Sequence, residues 1–220
     1  MFERLLAIAC LLFSCHWVDA ASAANPLGVP PWEKEWRKQI ADALAKKVTA
    51  DVDKKPLDEA LGALRDQAGV TIIVDPAAIP AGKPLLISIK AANKPLADVL
   101  KLVMQQAVLE YGQYYGAIFI YSRAKLETDY LKPEDFLISK MLDGRVERLN
   151  YEMKDSPAGD AIKELTETPN ITLPMDEKLK QNKVTVKFTD IGLGNALRWV
   201  VRLSGGKIVV DKENMRIVKR

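Results

Sequence analysis

Cys10, Cys15 and His16 are the chain's two cysteines and its one histidine, and all three stand near its start. A thiol beside an imidazole suits nucleophilic catalysis or a soft metal. The stretch that holds them, "MFERLLAIACLLFSCHWVDAASAA", argues against both uses. It has a charged start at Arg4, an apolar run from Leu5 to Phe13, and Ala21-Ser22-Ala23 as an A-x-A site. This pattern predicts a secretory signal peptide over residues 1–23. The mature chain then has neither Cys nor His. That excludes Ser-His-Asp and Cys-His triads, His or Cys zinc sites, haem, iron–sulfur ligation and structural disulfides. "LFSC", with Leu12 three residues before Cys15, also resembles a lipoprotein box, so acylation at Cys15 is the alternative to free export. The apolar run is about half of the roughly 20 residues that a membrane-spanning helix needs. A bacterial periplasmic location is expected.

Carboxylates, lysine, tyrosine and oxygen-ligated metals remain as sources of chemistry. Asp58 with Glu59 and Asp176 with Glu177 are adjacent acids on predicted helix surfaces or loops. Glycoside hydrolysis would need two carboxyls roughly 5–10 Å apart in a cleft. "DIGLGNAL" (190–197) fits neither the G-x-G-x-x-G of dinucleotide loops nor the G-x-x-G of RNA-binding loops. "PNIT" (169–172) is a glycosylation sequon without consequence in a bacterial periplasm. No catalytic residue, metal site or cofactor is assigned, and the chain is expected not to be an enzyme.

The elements that would position any site follow from a self-comparison. A shift of 101 aligns "DKKPLDEALGALRDQAGVTI" (53–72) with "KDSPAGDAIKELTETPNITL" (154–173). A shift of 97 aligns "LISIKAANKPLADVLKLV" (86–103) with "KVTVKFTDIGLGNALRWV" (183–200) and carries Ile118 and Ile120 onto Met215 and Ile217. Within the first copy, periods of two and 3.6 alternate. They predict strand 48–52, helix 56–68, strands 70–75 and 85–91, helix 95–107, and strands 108–115 and 117–122. The expected fold is α+β: two tandem βαββαββ modules, each with a leading helix, over 32–123 and 134–220, joined by a linker at 124–133.

The heptads "KPLDEAL", "KPLADVL", "SPAGDAI" and "IGLGNAL" each mark a passage from strand to helix. Pro sits at or near the first helical position, and Asp53, Asn93, Ser156 and Asp190 are near enough to cap. Pro or a small residue, Leu, an acid, Ala-Leu, then two apolar strands and the heptad again resembles the short N-terminal domain of secretins and TonB-linked receptors. The resemblance covers roughly 48–122 and 146–219. It implies a periplasmic docking module whose partner is a secretin, TonB-linked or regulatory component of the envelope, and it brings no catalytic residues. The chain after Ala23 is too short to hold a secretin channel or a receptor barrel as well.

Function is expected where the copies differ. "YGQYYGAIFIYS" holds Tyr111, Tyr114, Tyr115, Phe119 and Tyr121, whose second-copy counterparts are Ile208, Asp211, Lys212, Arg216 and Val218. With Ile118 and Ile120 inward, alternation turns Phe119 and Tyr121 to the other face. This aromatic stripe suits a partner strand, peptide or glycan, unless Trp32 and Trp36 of the leading helix, or the other copy, cover it. The second difference is charge. Residues 178–220 hold eleven Lys or Arg, among them Lys183, Lys187, Arg198, Arg202, Lys207 and Arg216, against three acids. Such a face suits an acidic partner or an anionic membrane surface, or is simply solvated. Export disfavours nucleic acid. The leading expectation is a non-enzymatic docking or scaffold protein, followed by a ligand or glycan binder and, last, a carboxylate hydrolase.

Overall fold

The computed structural model describes residues 31–80, 84–122, 148–167, 171–211 and 214–220. The expected signal peptide, Cys15, the linker and the second leading helix lie outside the described residues. The first half runs α1 (Pro31–Ala45), β1 (Lys47–Pro56), α2 (Leu57–Ala68), β2 (Ile72–Val74), a 3-10 turn (Pro76–Ala78), β3 (Leu86–Pro95), α3 (Leu96–Ala107), β4 (Glu110–Tyr114) and β5 (Ala117–Tyr121). The second runs β6 (Arg148–Pro157), α4 (Ala158–Glu167), α5 (Glu177–Lys180), β7 (Lys183–Gly192), α6 (Leu193–Leu203), β8 (Gly206–Asp211) and β9 (Asn214–Lys219). The fold is α+β, as expected.

Strands β1 and β3 are longer than the alternation predicts because each passes through an irregularity and then runs straight into its helix. Their antiparallel register shifts between Val48 and Ala50 and again between Val52 and Lys55. Lys54 and Asn93 take up the extra length in left-handed backbone, with φ of 49° and 53°. A bulge of this kind breaks the period of two on which a strand is recognised in sequence.

The heptads do start helices, but not through side-chain caps. Pro56, Pro95 and Gly192 hold the N-cap positions with no side-chain cap bond. Asp53 instead accepts from the Ser88 hydroxyl, and Asp190 pairs with Arg148. A carbonyl from a neighbouring backbone segment takes over the capping role: Leu57 N–H donates to Leu85, Leu96 N–H to Lys46 and Ala158 N–H to Asn182. Orphan donors at a helix start need a partner, and here the chain running alongside supplies it.

Adding 101 to the β1 positions and 97 to the β3 positions turns the β1–β3 register into the β6–β7 register. Val52 opposite Ile89 becomes Met153 opposite Val186, and Pro56 opposite Leu86 becomes Pro157 opposite Lys183. Both register shifts recur, and the left-handed residues Asp155 and Asp190 fall on Lys54 and Asn93. One element differs. In the first half β2 pairs in parallel with β5 in the three-stranded order β2-β5-β4. Its counterpart, residues 171–175, makes a single bridge, Met175 to Ile217. Pro174 stands where Ile73 does and has no N–H to give a ladder.

The apolar residues form two cores. One gathers α1, α2, α3, β1 and β3 with Ile72, Ile118 and Ile120. The other gathers the second half, but it also takes Ile73, Ala117, Phe119 and Tyr121 from the first. The β2-β5-β4 sheet therefore lies between the cores, one face on each.

Candidate interaction site

Strands β4 and β5 form a hairpin whose turn, Tyr115-Gly116, has φ of 43° and 72°. Two successive left-handed residues match the twist of a two-residue hairpin, and glycine takes the second place without strain. Register then sorts the aromatic side chains. Tyr121 opposite Glu110, Phe119 opposite Gly112 and Tyr114 beside Ala117 share one face, while Tyr111 opposite Ile120 lies on the other. Tyr111 thus packs against the first core, where burial and then Asp98 raise its phenol above the usual range.

The sequence left this face either exposed as a stripe or covered by the leading helix or the other copy, and the structure shows it covered. Phe119 is 1 % exposed and Tyr121 is buried. The cover is the second half, while Trp36 of the leading helix packs into the first core. Trp199 of α6 stacks on Phe119 with ring centroids 5.0 Å apart and meets Tyr115 edge-on at 6.0 Å. Tyr114 meets Phe119 edge-on at 6.2 Å, and its ring crosses Gly112, where a Cβ would come within 2.4 Å. The indole N–H of Trp199 donates to the carbonyl of Tyr115 at 3.1 Å.

Three cations assigned to a basic face, Arg198, Arg202 and Lys187, also belong to this junction. Arg198, 7 % exposed, lies over the Tyr115 ring and donates to Asn195 at 2.8 Å. Arg202 lies over the Phe119 ring. A guanidinium on an aromatic face is attracted by the ring quadrupole. Lys187, half-buried, reaches Asp66 of α2 at 3.0 Å. That bond, with help from Arg65, holds the Asp66 carboxyl below the usual carboxylate range. Beside it the fully buried Thr71 hydroxyl accepts from the N–H of Thr189 at 2.8 Å and donates to its carbonyl at 3.2 Å. Arg148 adds a third tie, meeting Glu35 and Gln39 of α1 and Asp190 of β7.

The remaining basic residues do face solvent. Lys183 pairs with Asp155 at 2.8 Å on the surface. Lys207 opposite Val218 and Val209 opposite Arg216 share the outer face of the β8–β9 hairpin, with both cations exposed. The predicted acids do local work. Glu59 pairs with Lys55 at 2.8 Å, Asp176 caps α5 through the N–H of Lys178, and Glu177 pairs with Lys180. Among the described residues no group of three or more His, Cys, Asp or Glu stands together to hold a metal ion. No described helix is long and apolar enough to cross a membrane. Between α4 and residues 171–175 an open groove of about 520 Å³ is floored by Ile162, Ile171 and Leu173, with Lys163, Thr172 and Lys180 at its rim.

Trp199, Thr71 and Thr189 were missed from sequence. A signal for Trp199 existed, because Trp199 and Val201 carry apolar side chains beyond the stripe of Leu193, Ala196, Leu197 and Val200, and the structure buries α6 from Leu193 through Val201. A helix enclosed all round packs on two partners rather than one. No family model, curated protein or solved structure matches this chain.

Proposed function

We propose that this chain is an exported, non-enzymatic interaction or scaffold protein of the bacterial envelope. In this reading it is built from two copies of a docking module like the short N-terminal domain of secretins and TonB-linked receptors. The observation that supports it is the position-for-position equivalence of the β1–β3 and β6–β7 registers, with the same irregularities at the same places. Glu59, Asp66, Asp176 and Glu177 are engaged in ion pairs or a cap, and Phe119, Tyr114 and Tyr115 in aromatic packing. Because the aromatic face closes the junction, the partner surface moves to the outer face of β8–β9. Lys207 and Arg216 flank Val209 and Val218 there, which suits an acidic protein surface.

The test is site-specific photocrosslinking from positions 207 and 216 in intact envelopes. A defined adduct to a protein other than a second copy of this chain, reduced by Lys207→Glu with Arg216→Glu, is the expected result. The absence of any such adduct from either position, or adducts unchanged by the double charge reversal, would refute the assignment of this face.

A further inference from the structure

The junction between the halves is made of two residue sets, and the repeat places each set on the chain a second time, in the open. On one side of the junction Asp66 and Thr71 receive Lys187 and Thr189 from the other. A shift of 101 carries Asp66 and Thr71 onto Glu167 and Thr172. The carboxylate and the hydroxyl are both kept, and both residues are exposed. A shift of 97 carries Lys187 and Thr189 back onto Lys90 and Ala92, also exposed. The ammonium is kept. Ala92 suffices because Thr189 uses only its backbone N–H and carbonyl in the junction, and both lie within the same bulge of their strands.

The apolar part of the junction follows the same rule. Trp199 has Leu102 as its counterpart, 46 % exposed on α3. Phe119 and Tyr121 have Arg216 and Val218 on the outer face of β8–β9. Asp98 and Leu102 are four apart on α3 and so share a helix face, which offers that hairpin a carboxylate beside an apolar contact.

We propose that copies of this chain associate head to tail. The groove between α4 and residues 171–175 of one copy receives strand β3 of the next, with Glu167 on Lys90 and the Thr172 hydroxyl on the backbone of Ala92. This extends the two-module reading and rests on it. The contact joins unlike surfaces, so it leaves one free end of each kind and propagates into a ring or a filament. It is weaker than the internal junction because valine and arginine replace the stacked aromatics.

Sedimentation velocity on the purified chain over a concentration series to about 1 mM tests the proposal, since weak contacts are populated in that range. The weight-average sedimentation coefficient should climb continuously. Glu167→Lys and Lys90→Glu should each weaken association roughly five- to tenfold, because an attractive exposed pair becomes repulsive. Mixing the two variants should restore it. The lysine introduced at position 167 of one then meets the glutamate introduced at position 90 of the other, and the native Glu167–Lys90 pair forms at the alternate contacts. A general structural defect would not be rescued by mixing. A monomer at every concentration, a dimer plateau, or indifference to both reversals overturns the proposal and leaves the two-module reading standing. If Thr71→Val does not alter stability, the internal junction is not the template and this proposal falls, while the two-module reading, which rests on the strand registers, stands.

Discussion

Replacing Phe119 by alanine separates a buried junction from a free aromatic surface. Phe119 lies between Trp199 at 5.0 Å, Tyr121 at 5.8 Å and Tyr114 at 6.2 Å, with Arg202 over its ring. Truncating a buried phenylalanine removes its transfer free energy and leaves a cavity, together about 3–5 kcal/mol. For a domain of this size each kcal/mol lowers Tm by about 2–4 °C, so a fall of about 6–20 °C is expected. Urea and thermal unfolding followed by far-UV circular dichroism measure the loss. Near-UV circular dichroism should show the Trp199 signal weakened in the native state as well. The control is Arg216→Ala, the equivalent place on the exposed hairpin, which should fall within about 0.5 kcal/mol of the parent protein. A Phe119→Ala protein equally close to the parent would refute the junction and return the face to solvent.

Three further outcomes are expected. Thr71→Val should cost about 1–3 kcal/mol in urea unfolding, because the Thr189 N–H and carbonyl lose the hydroxyl that satisfies them in a buried place. The Asp66 carboxyl is held low by Lys187, so its contribution is present above the unfolded carboxylate range and lost as pH falls through the lower folded value. Lys187→Met should therefore cost under about 1 kcal/mol at neutral pH, since Asp66 is half exposed, and the difference from the parent should vanish in unfolding measured near pH 2. Val108 is 84 % exposed and closes α3 in left-handed backbone with φ of 55°, where the repeat has Gly205 with φ of 79°. Val108→Gly should raise stability by about 1 kcal/mol in the same thermal assay, by removing the Cβ clash.

Much of the fold was legible because the helices carry clean apolar stripes: Leu57, Ala60, Leu61 and Leu64 on α2, and Leu96, Val99, Leu100 and Val103 on α3, all buried as read. The strand ends were not, because left-handed Lys54 and Asn93 hide a bulge in residues of ordinary appearance. The candidate site was half legible. Alternation correctly put Phe119 and Tyr121 opposite Ile118 and Ile120, but alternation reports a face and not what lies against it. Tyr111 was grouped with the other aromatics as a partner-binding candidate, and only the register shows that it lies on the opposite face. Charge misled in the same way at Arg198, whose guanidinium lies on the Tyr115 ring.

The two hairpins explain why one sequence pattern can serve as both glue and surface. Each has an inner face of Ile and Met or Ile and Ile, set by the same shift of 97. Their outer faces have diverged in opposite directions, to Phe119 and Tyr121 in one and to Arg216 and Val218 in the other. An aromatic outer face on both would leave a sticky end on every copy, and stacked units need a polar terminal face to stay in solution. A charged outer face on both would leave Trp199 without a partner. The arrangement keeps the strong contact inside the chain, while Glu167, Thr172 and Lys90 retain only the polar part of the junction at its ends. Association between copies should accordingly answer to salt and to single charge reversals, whereas the internal junction should answer to the loss of Phe119.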